Sequence, residues 1–149
     1  PNGILCGCGS RGCWERYGSA TALIQLARLE MERDRNSEMW NIVDGDSFKV
    51  SGRTPFQAAR LGDAAAKRVL TSYLQGLSIG MINLVNIIQP EIICLGGGVS
   101  NAEDDLLLDP LRELVWRGSF DKSHHTRIEK ASLGNDAGVV GAALLCNLV

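Results

Sequence analysis

A chain of 149 residues with 45% hydrophobic and 21% charged residues has the length and composition of one globular domain able to bury a core. Its net charge of −2 gives no reason to expect a nucleic-acid-binding face. No apolar run reaches the roughly 18 residues of a membrane-spanning helix, the most apolar stretch, Leu77 to Ile88, being broken by Asn83 and Asn86. No signal peptide is visible, and a chain that opens on Pro1 without an initiator methionine is expected to be truncated at its start.

Residues 1–18 are rich in glycine and cysteine and are expected to form a loop. Ser19 is placed to cap a helix through about Arg33, with Leu23, Leu26 and Ala27 at helical spacing. Residues 34–53 are polar and interrupted by Gly45 and Gly52, a surface excursion with a short helix near Met39. Thr54-Pro55 reads as a helix start, a capping hydroxyl followed by proline at the first helical position, and this helix ends near Gly62. Asp63 opens the longest helix, to about Ile88, along the stripe Ala66, Leu70, Tyr73, Leu77, Met81, Leu84 and Ile88. From Leu77 onward it is apolar nearly all round, so its second half is expected to be buried. Gly76, Ser78 and Gly80 would let another backbone approach closely.

Pro90 ends that helix. Residues 91–95 form a short β-branched run between Pro90 and Gly96-Gly97-Gly98, read as a buried parallel strand. Asp104 or Asp109 begins a further helix with Leu111, Leu114 and Val115 facing inward. Residues 126–133 alternate as a strand, and Gly134-Asn135-Asp136 turns the chain into a last helix from Ala137 to about Asn147. Strand, helix, strand, helix is the order of an α/β domain with parallel strands. Two strands do not make a stable open sheet, so further strands are expected to come from elsewhere.

Three of the five cysteines, Cys6, Cys8 and Cys13, crowd into one loop, which fits metal binding in a reducing compartment better than a disulfide framework. Three glycines lie between these soft ligands and allow the turns that would converge the sulfurs on zinc. Three ligands are not four. The fourth could be His124, His125, an upstream residue or water, and the alternative is a reduced loop with no metal. Cys94 and Cys146 lie in apolar runs and are expected in the core. Gly96, Gly97 and Gly98 follow a strand and precede a helix, so their bare backbone could approach a nucleotide closely. Spacing alone makes Glu15 an exposed loop charge and Asp44, Asp46, Asp63 and Asp136 caps and solvated turns.

The run Cys6-Gly-Cys8-Gly-Ser-Arg-Gly-Cys13-Trp14-Glu15 resembles the zinc signature of the ROK family of repressors, open reading frames and sugar kinases. Pro90-Glu91-Ile-Ile-Cys-Leu-Gly-Gly-Gly98-Val-Ser100 resembles a later segment of the same family, and residues 133–143 its C-terminal helix. The wording Cys13-Trp14-Glu15-Arg16-Tyr17-Gly18-Ser19, with Leu108-Asp109-Pro110-Leu111, is most similar to glucokinases of the actinobacterial type within it.

The resemblance implies part of an actin-like, ribonuclease H-like ATPase lobe, mostly helical with a few parallel strands. Residues 1–149 would be a partial C-terminal lobe, with a zinc loop at 1–18 and helices plus a nucleotide-side α/β segment at 19–149. It implies phosphoryl transfer from Mg-ATP to a hexose, glucose to glucose 6-phosphate being expected, in a cytoplasmic homodimer. Cys6, Cys8 and Cys13 would hold structural zinc, Gly96, Gly97 and Gly98 would line the adenosine site, and Glu15 would hydrogen-bond the sugar. The family's fourth zinc ligand is a histidine shortly before the first cysteine, and none precedes Cys6; His124 and His125 read as surface residues at a strand start. The family's first phosphate loop and catalytic aspartate have no match here, so no catalytic residue is assigned and these residues alone are expected to be inactive. The alternative implied is the sugar-sensing domain of a ROK repressor.

Overall fold

The computed structural model describes residues 2–120 and 125–145. Its axis is the 25-residue helix α5, Ala64–Ile88, about 37 Å long at the usual rise. Before it come α1 (Glu15–Gly18), α2 (Ala20–Arg33), α3 (Glu38–Ile42) and α4 (Thr54–Arg60). After it come β1 (Ile92–Leu95), α6 (Leu108–Gly118), β2 (Arg127–Lys130) and α7 (Ala137–Leu145). Short 3-10 turns occupy Ser47–Lys49, Gly98–Asn101 and Gly134–Asp136. The fold is a mostly helical α/β arrangement with two parallel strands, and α1, α2, α4 and α6 all pack on α5.

The helix starts follow from side-chain chemistry. Ser19 accepts a hydrogen bond from the Ala22 amide at 3.1 Å and caps α2. Asp63 accepts from the Ala66 amide at 2.7 Å and also from the Glu38 amide at the start of α3, so one carboxylate serves two helix N-termini. Burial pushes the Asp63 carboxyl up, but its hydrogen bonds from Ala66, Ser37, Glu38 and Ala65 together bring it below its ordinary value. The α4 start differs from the expected one. Arg53 is the cap residue and makes no capping side-chain bond, while the Thr54 hydroxyl turns back to accept from the Ser51 amide at 3.1 Å.

The core gathers one stripe of α5 against its neighbours: Leu23 and Met31 of α2, Met39 of α3, and Leu111 and Val115 of α6 are all fully enclosed. The α5 stripe holds through Met81 and then moves to Val85, leaving Leu84 half-buried and Ile88 exposed. This is the drift of a 3.6-residue period. The second half of α5 is not enclosed as expected, because the other helices cover it on one side only. Ile79, Ile87 and Ile88 are 61%, 81% and 65% exposed.

β1 and β2 pair in parallel, with Ile92 opposite Arg127 and Leu95 opposite Lys130. The connecting α6 covers one face. Ile128 is buried there and Ile93 and Leu95 are packed against the core, whereas Ile92 and Cys94 point outward and are exposed. The expected burial of β1 and of Cys94 is therefore corrected: a strand covered on one face alternates, and Cys94 falls on the uncovered face. Cys146 lies outside the described residues. Helix α7 is apolar, with Val139 and Leu144 exposed. Among the described residues, no helix is long and apolar enough to cross a membrane.

Removing the shared cap, Asp63→Ala, is expected to cost about 1–2 kcal/mol at pH 7, the range for a lost N-cap. The folded Asp63 value lies below the unfolded one near 3.9. Its contribution is therefore full above the unfolded value and is lost as pH falls through the folded one. Urea unfolding of both proteins at pH 7 and near pH 3 should show the gap narrowing in acid; a gap independent of pH would remove this role from the carboxylate.

Candidate functional site

The first candidate region is the cysteine loop. The Cys6 amide donates to Ser10 O at 2.8 Å, the Gly9 amide to Cys6 O at 3.0 Å and the Gly12 amide to Ile4 O at 3.0 Å, and Leu5 and Arg11 form an antiparallel bridge. These bonds fold residues 4–12 into a tight return. Gly9 and Gly12 sit at φ of 86° and 78°, backbone that side-chain-bearing residues rarely adopt. The outcome is that the sulfurs of Cys6, Cys8 and Cys13 all lie within 4.8 Å of one another, Cys8 and Cys13 at 3.5 Å. The hydrogen bond from the Ser10 backbone, then that with Cys13, lowers Cys8 to about 7. The partnership with Cys8, and after it that with Cys6, pushes Cys13 up to about 11. Among the described residues no fourth cysteine, histidine or carboxylate joins the cluster. His125 instead lines a separate cavity with Trp116, Ser119 and Thr126, and His124 lies outside the described residues.

The loop continues directly into α1, which lies on the glycine face of α5. The Trp14 indole N–H donates to Gly76 O at 3.1 Å, and the Ile4 amide donates to the Tyr17 hydroxyl at 3.0 Å. A methyl group built on Gly80 would stand 1.9 Å from the Trp14 ring, and one on Gly76 would stand 2.9 Å from the Tyr17 Cβ. The backbone that sequence reasoning expected to approach this face is thus α1. Ser78 takes no part, its hydroxyl donating to Gln75 O in its own helix. Glu15 opens α1 exposed to solvent, and its carboxylate accepts from the Cys6 thiol at 3.9 Å.

The second region is the glycine turn after β1. Gly97 adopts φ of 79°, and its carbonyl accepts from both the amide and the hydroxyl of Ser100, at 3.1 and 2.7 Å. No atom beyond the neighbouring residues lies within 4 Å of where a Cβ would stand on Gly97 or Gly98, so their faces are open. Two cavities flank the turn. One of about 240 Å³ lies between it and α4, lined by Arg53, Phe56, Gln57 and Arg60 opposite Gly98 and Asn101. The other, about 200 Å³, lies between all three glycines and Gly18, Ser19, Ala20 and Tyr73.

The two regions meet in the second cavity. Gly18 ends α1, its carbonyl accepts from the Tyr73 hydroxyl at 3.1 Å, and both residues face the glycine turn across that space. Burial pushes the Tyr73 phenol up to about 12. The sequence singles out the cysteines, Glu15 and the glycines, but it gives no sign that α4 and Tyr73 would line the cavities beside the glycine turn. Tyr73 showed only as one member of an apolar stripe, and α4 carried no motif. Of the aspartates, Asp46 caps the turn at Ser47–Lys49 and Asp44 pairs with Lys49 at 3.3 Å.

A model of the ROK family matches residues 1–148. The glucokinase of Streptomyces coelicolor is 37% identical over 153 aligned residues, covering 96% of this chain and 46% of that protein. The DNA-binding transcriptional repressor Mlc of Escherichia coli is 31% identical over 150 residues, covering 97% of this chain and 34% of the repressor. A solved ROK family glucokinase from Streptomyces griseus, in complex with glucose and AMPPNP, superposes with a TM-score of 0.86 at 34% identity, covering 97% of this chain and 47% of that one. The chain therefore spans about half the length of these glucokinases.

The seat of α1 yields a prediction whose sign is opposite to helix propensity. Gly→Ala inside a helix ordinarily stabilises by about 0.5–1 kcal/mol. Gly80→Ala should instead destabilise by about 1–3 kcal/mol, as overpacking does, because its methyl group enters the Trp14 ring. Thermal unfolding measures it, and a raised melting temperature would disprove the packing.

Proposed function

The chain belongs to the ROK family, and from that premise we propose that it forms the sugar- and nucleotide-contacting part of an ATP-dependent hexose kinase acting on glucose. The observation that carries the reading is the open glycine turn at the end of β1, flanked by cavities, one of which it shares with the helix that follows the cysteine loop. The likeness to glucokinases along nearly the whole chain supports glucose as the substrate.

In the proposed reaction a sugar hydroxyl oxygen bonds to the γ-phosphorus of Mg-ATP, the bond to the ADP oxygen breaks, and the hydroxyl proton passes to a base. No residue here is assigned as that base. Gly96, Gly97 and Gly98 admit the nucleoside because they present backbone without side chains. Glu15 accepts hydrogen bonds from sugar hydroxyls, a task suited to an exposed carboxylate.

Cys6, Cys8 and Cys13 fit a zinc ion. Their donors are soft, and sulfur separations of 3.5 Å for Cys8–Cys13 and under 4.8 Å throughout approach the roughly 3.8 Å edge of a tetrahedron of thiolates about 2.3 Å from zinc. Bound zinc would supply cross-linking of the loop rather than chemistry. With only Trp14 between Cys13 and Glu15, that cross-link would fix the carboxylate, and misplacing such a group can cost around a hundredfold in rate. A second reading, a sugar-sensing repressor domain, is favoured by the 31% identity to Mlc. A coupled ATP–glucose assay on the full-length polypeptide separates the two, since a repressor would bind sugar without turnover.

Full-length protein should contain about one zinc per chain, as a single closed site requires, and Cys8→Ser should lower that content. Elemental analysis decides; a fully active, metal-free wild type would refute the site. Glu15→Gln should weaken glucose binding by about 1.5–3 kcal/mol, roughly 10- to 150-fold, while the ATP constant changes far less. Both Michaelis constants measured on wild type and variant test this, and an unaltered glucose constant would rule the role out.

A further inference from the structure

The cavity of about 240 Å³ beside the glycine turn has unequal walls. On one side stands α4, anchored by the buried Thr54, Pro55, Phe56, Ala58 and Ala59. The other side is the irregular segment that follows the turn, with Asn101, Ala102, Glu103 and Leu106 on its inner surface. Local turn bonds, such as Leu106 N–H to Glu103 O at 3.1 Å, shape this segment but do not fix its distance from α4.

Three consecutive carboxylates lie in it: Glu103, Asp104 and Asp105. Their partners alternate. The Arg60 guanidinium at the end of α4 pairs with both Glu103 and Asp105, reaching across the mouth of the cavity. Lys130 at the end of β2 pairs with Asp104 at 2.6 Å and donates to Ala102 O at 2.6 Å from the opposite side. The Arg60 hydrogen bond holds the Asp105 carboxyl below its ordinary range, as expected of a standing ion pair.

We propose that Arg60 and Lys130 form a two-sided ionic clamp on Glu103-Asp104-Asp105 that sets the width of the nucleotide cavity, making both of them positioning residues for nucleotide binding. The assignment of this cavity to nucleotide is part of the proposal and rests on the functional reading of the glycine turn above, since Gly98 lines the cavity; the clamp itself rests on the pairings. Exposed ion pairs are individually weak. Here, however, three pairs act on three successive residues, adding to the apolar anchoring that Ala102, Leu106 and Leu107 give the segment.

Lys130→Met and Asp105→Asn test this without touching the cavity lining, since neither residue faces it. In the full-length polypeptide each should raise the AMPPNP dissociation constant about two- to fivefold, as loss of exposed pairs predicts. The glucose constant and the melting temperature should stay near wild type, and Lys130→Arg should restore nucleotide affinity. Amide hydrogen exchange across residues 98–107 should quicken in both variants. Wild-type AMPPNP affinity in the variants would overturn the clamp's role in binding, as would equal weakening of both ligands with a lowered melting temperature. A wild type that binds no AMPPNP would refute the nucleotide reading and with it the role in binding. Unaltered exchange at residues 98–107 would overturn the clamp itself.

Discussion

The approach of α1 to α5 through Gly76 and Gly80 is the contact on which the candidate site depends. A helix of four residues has no stability of its own, since nucleation alone costs more than its few hydrogen bonds return. What holds α1 is the flat seat left by two absent side chains, on which the Trp14 ring and the Tyr17 backbone lie. The indole N–H bond to Gly76 O fixes the direction in which the chain leaves the cysteine loop. The position of Glu15 and the outlet of the loop follow from that one contact.

The same helix carries the other half of the site. One turn before Gly76, Tyr73 sends its hydroxyl to Gly18 O and presents its ring to the cavity of the glycine turn. The polar link is half-buried, with Tyr73 itself enclosed, so the corner between α1 and α2 is held to α5 by both packing and a satisfied acceptor.

Exposed apolar side chains occur along the described chain, from Ile4 and Leu5 through Phe48 and Leu61 to Phe120. Ile79, Ile87 and Ile88 on α5, Ile92 on β1, and Val139 and Leu144 on α7 are all open to solvent. A two-stranded parallel sheet with one bare face is not an arrangement that stands by itself in water. Exposed apolar side chains that stand singly need no explanation. The charged groups, by contrast, are mostly paired at short range, as in Arg68 with Glu30 and Asp34.

Much of the local structure was legible in the amino-acid order. Ser19 and Asp63 announced their helices because a short acceptor side chain has only nearby amides to satisfy, and Pro90 with the triple glycine bounded β1 for equally local reasons. The crowding of three cysteines in a glycine loop was likewise visible in the order, and the fold brings their sulfurs within 4.8 Å of one another. Burial was less legible. Periodicity says which residues share a face but not whether anything covers it, so Cys94 and one side of the far half of α5 were expected inside and lie outside. The Thr54 hydroxyl turned to Ser51 because the incoming chain offered it an amide that the sequence alone does not place. Tyr73 meeting Gly18, Trp14 meeting Gly80, and Arg60 meeting Glu103 join residues 43 to 66 positions apart. Such meetings depend on how helices pack across one another, and only the tertiary structure decided them.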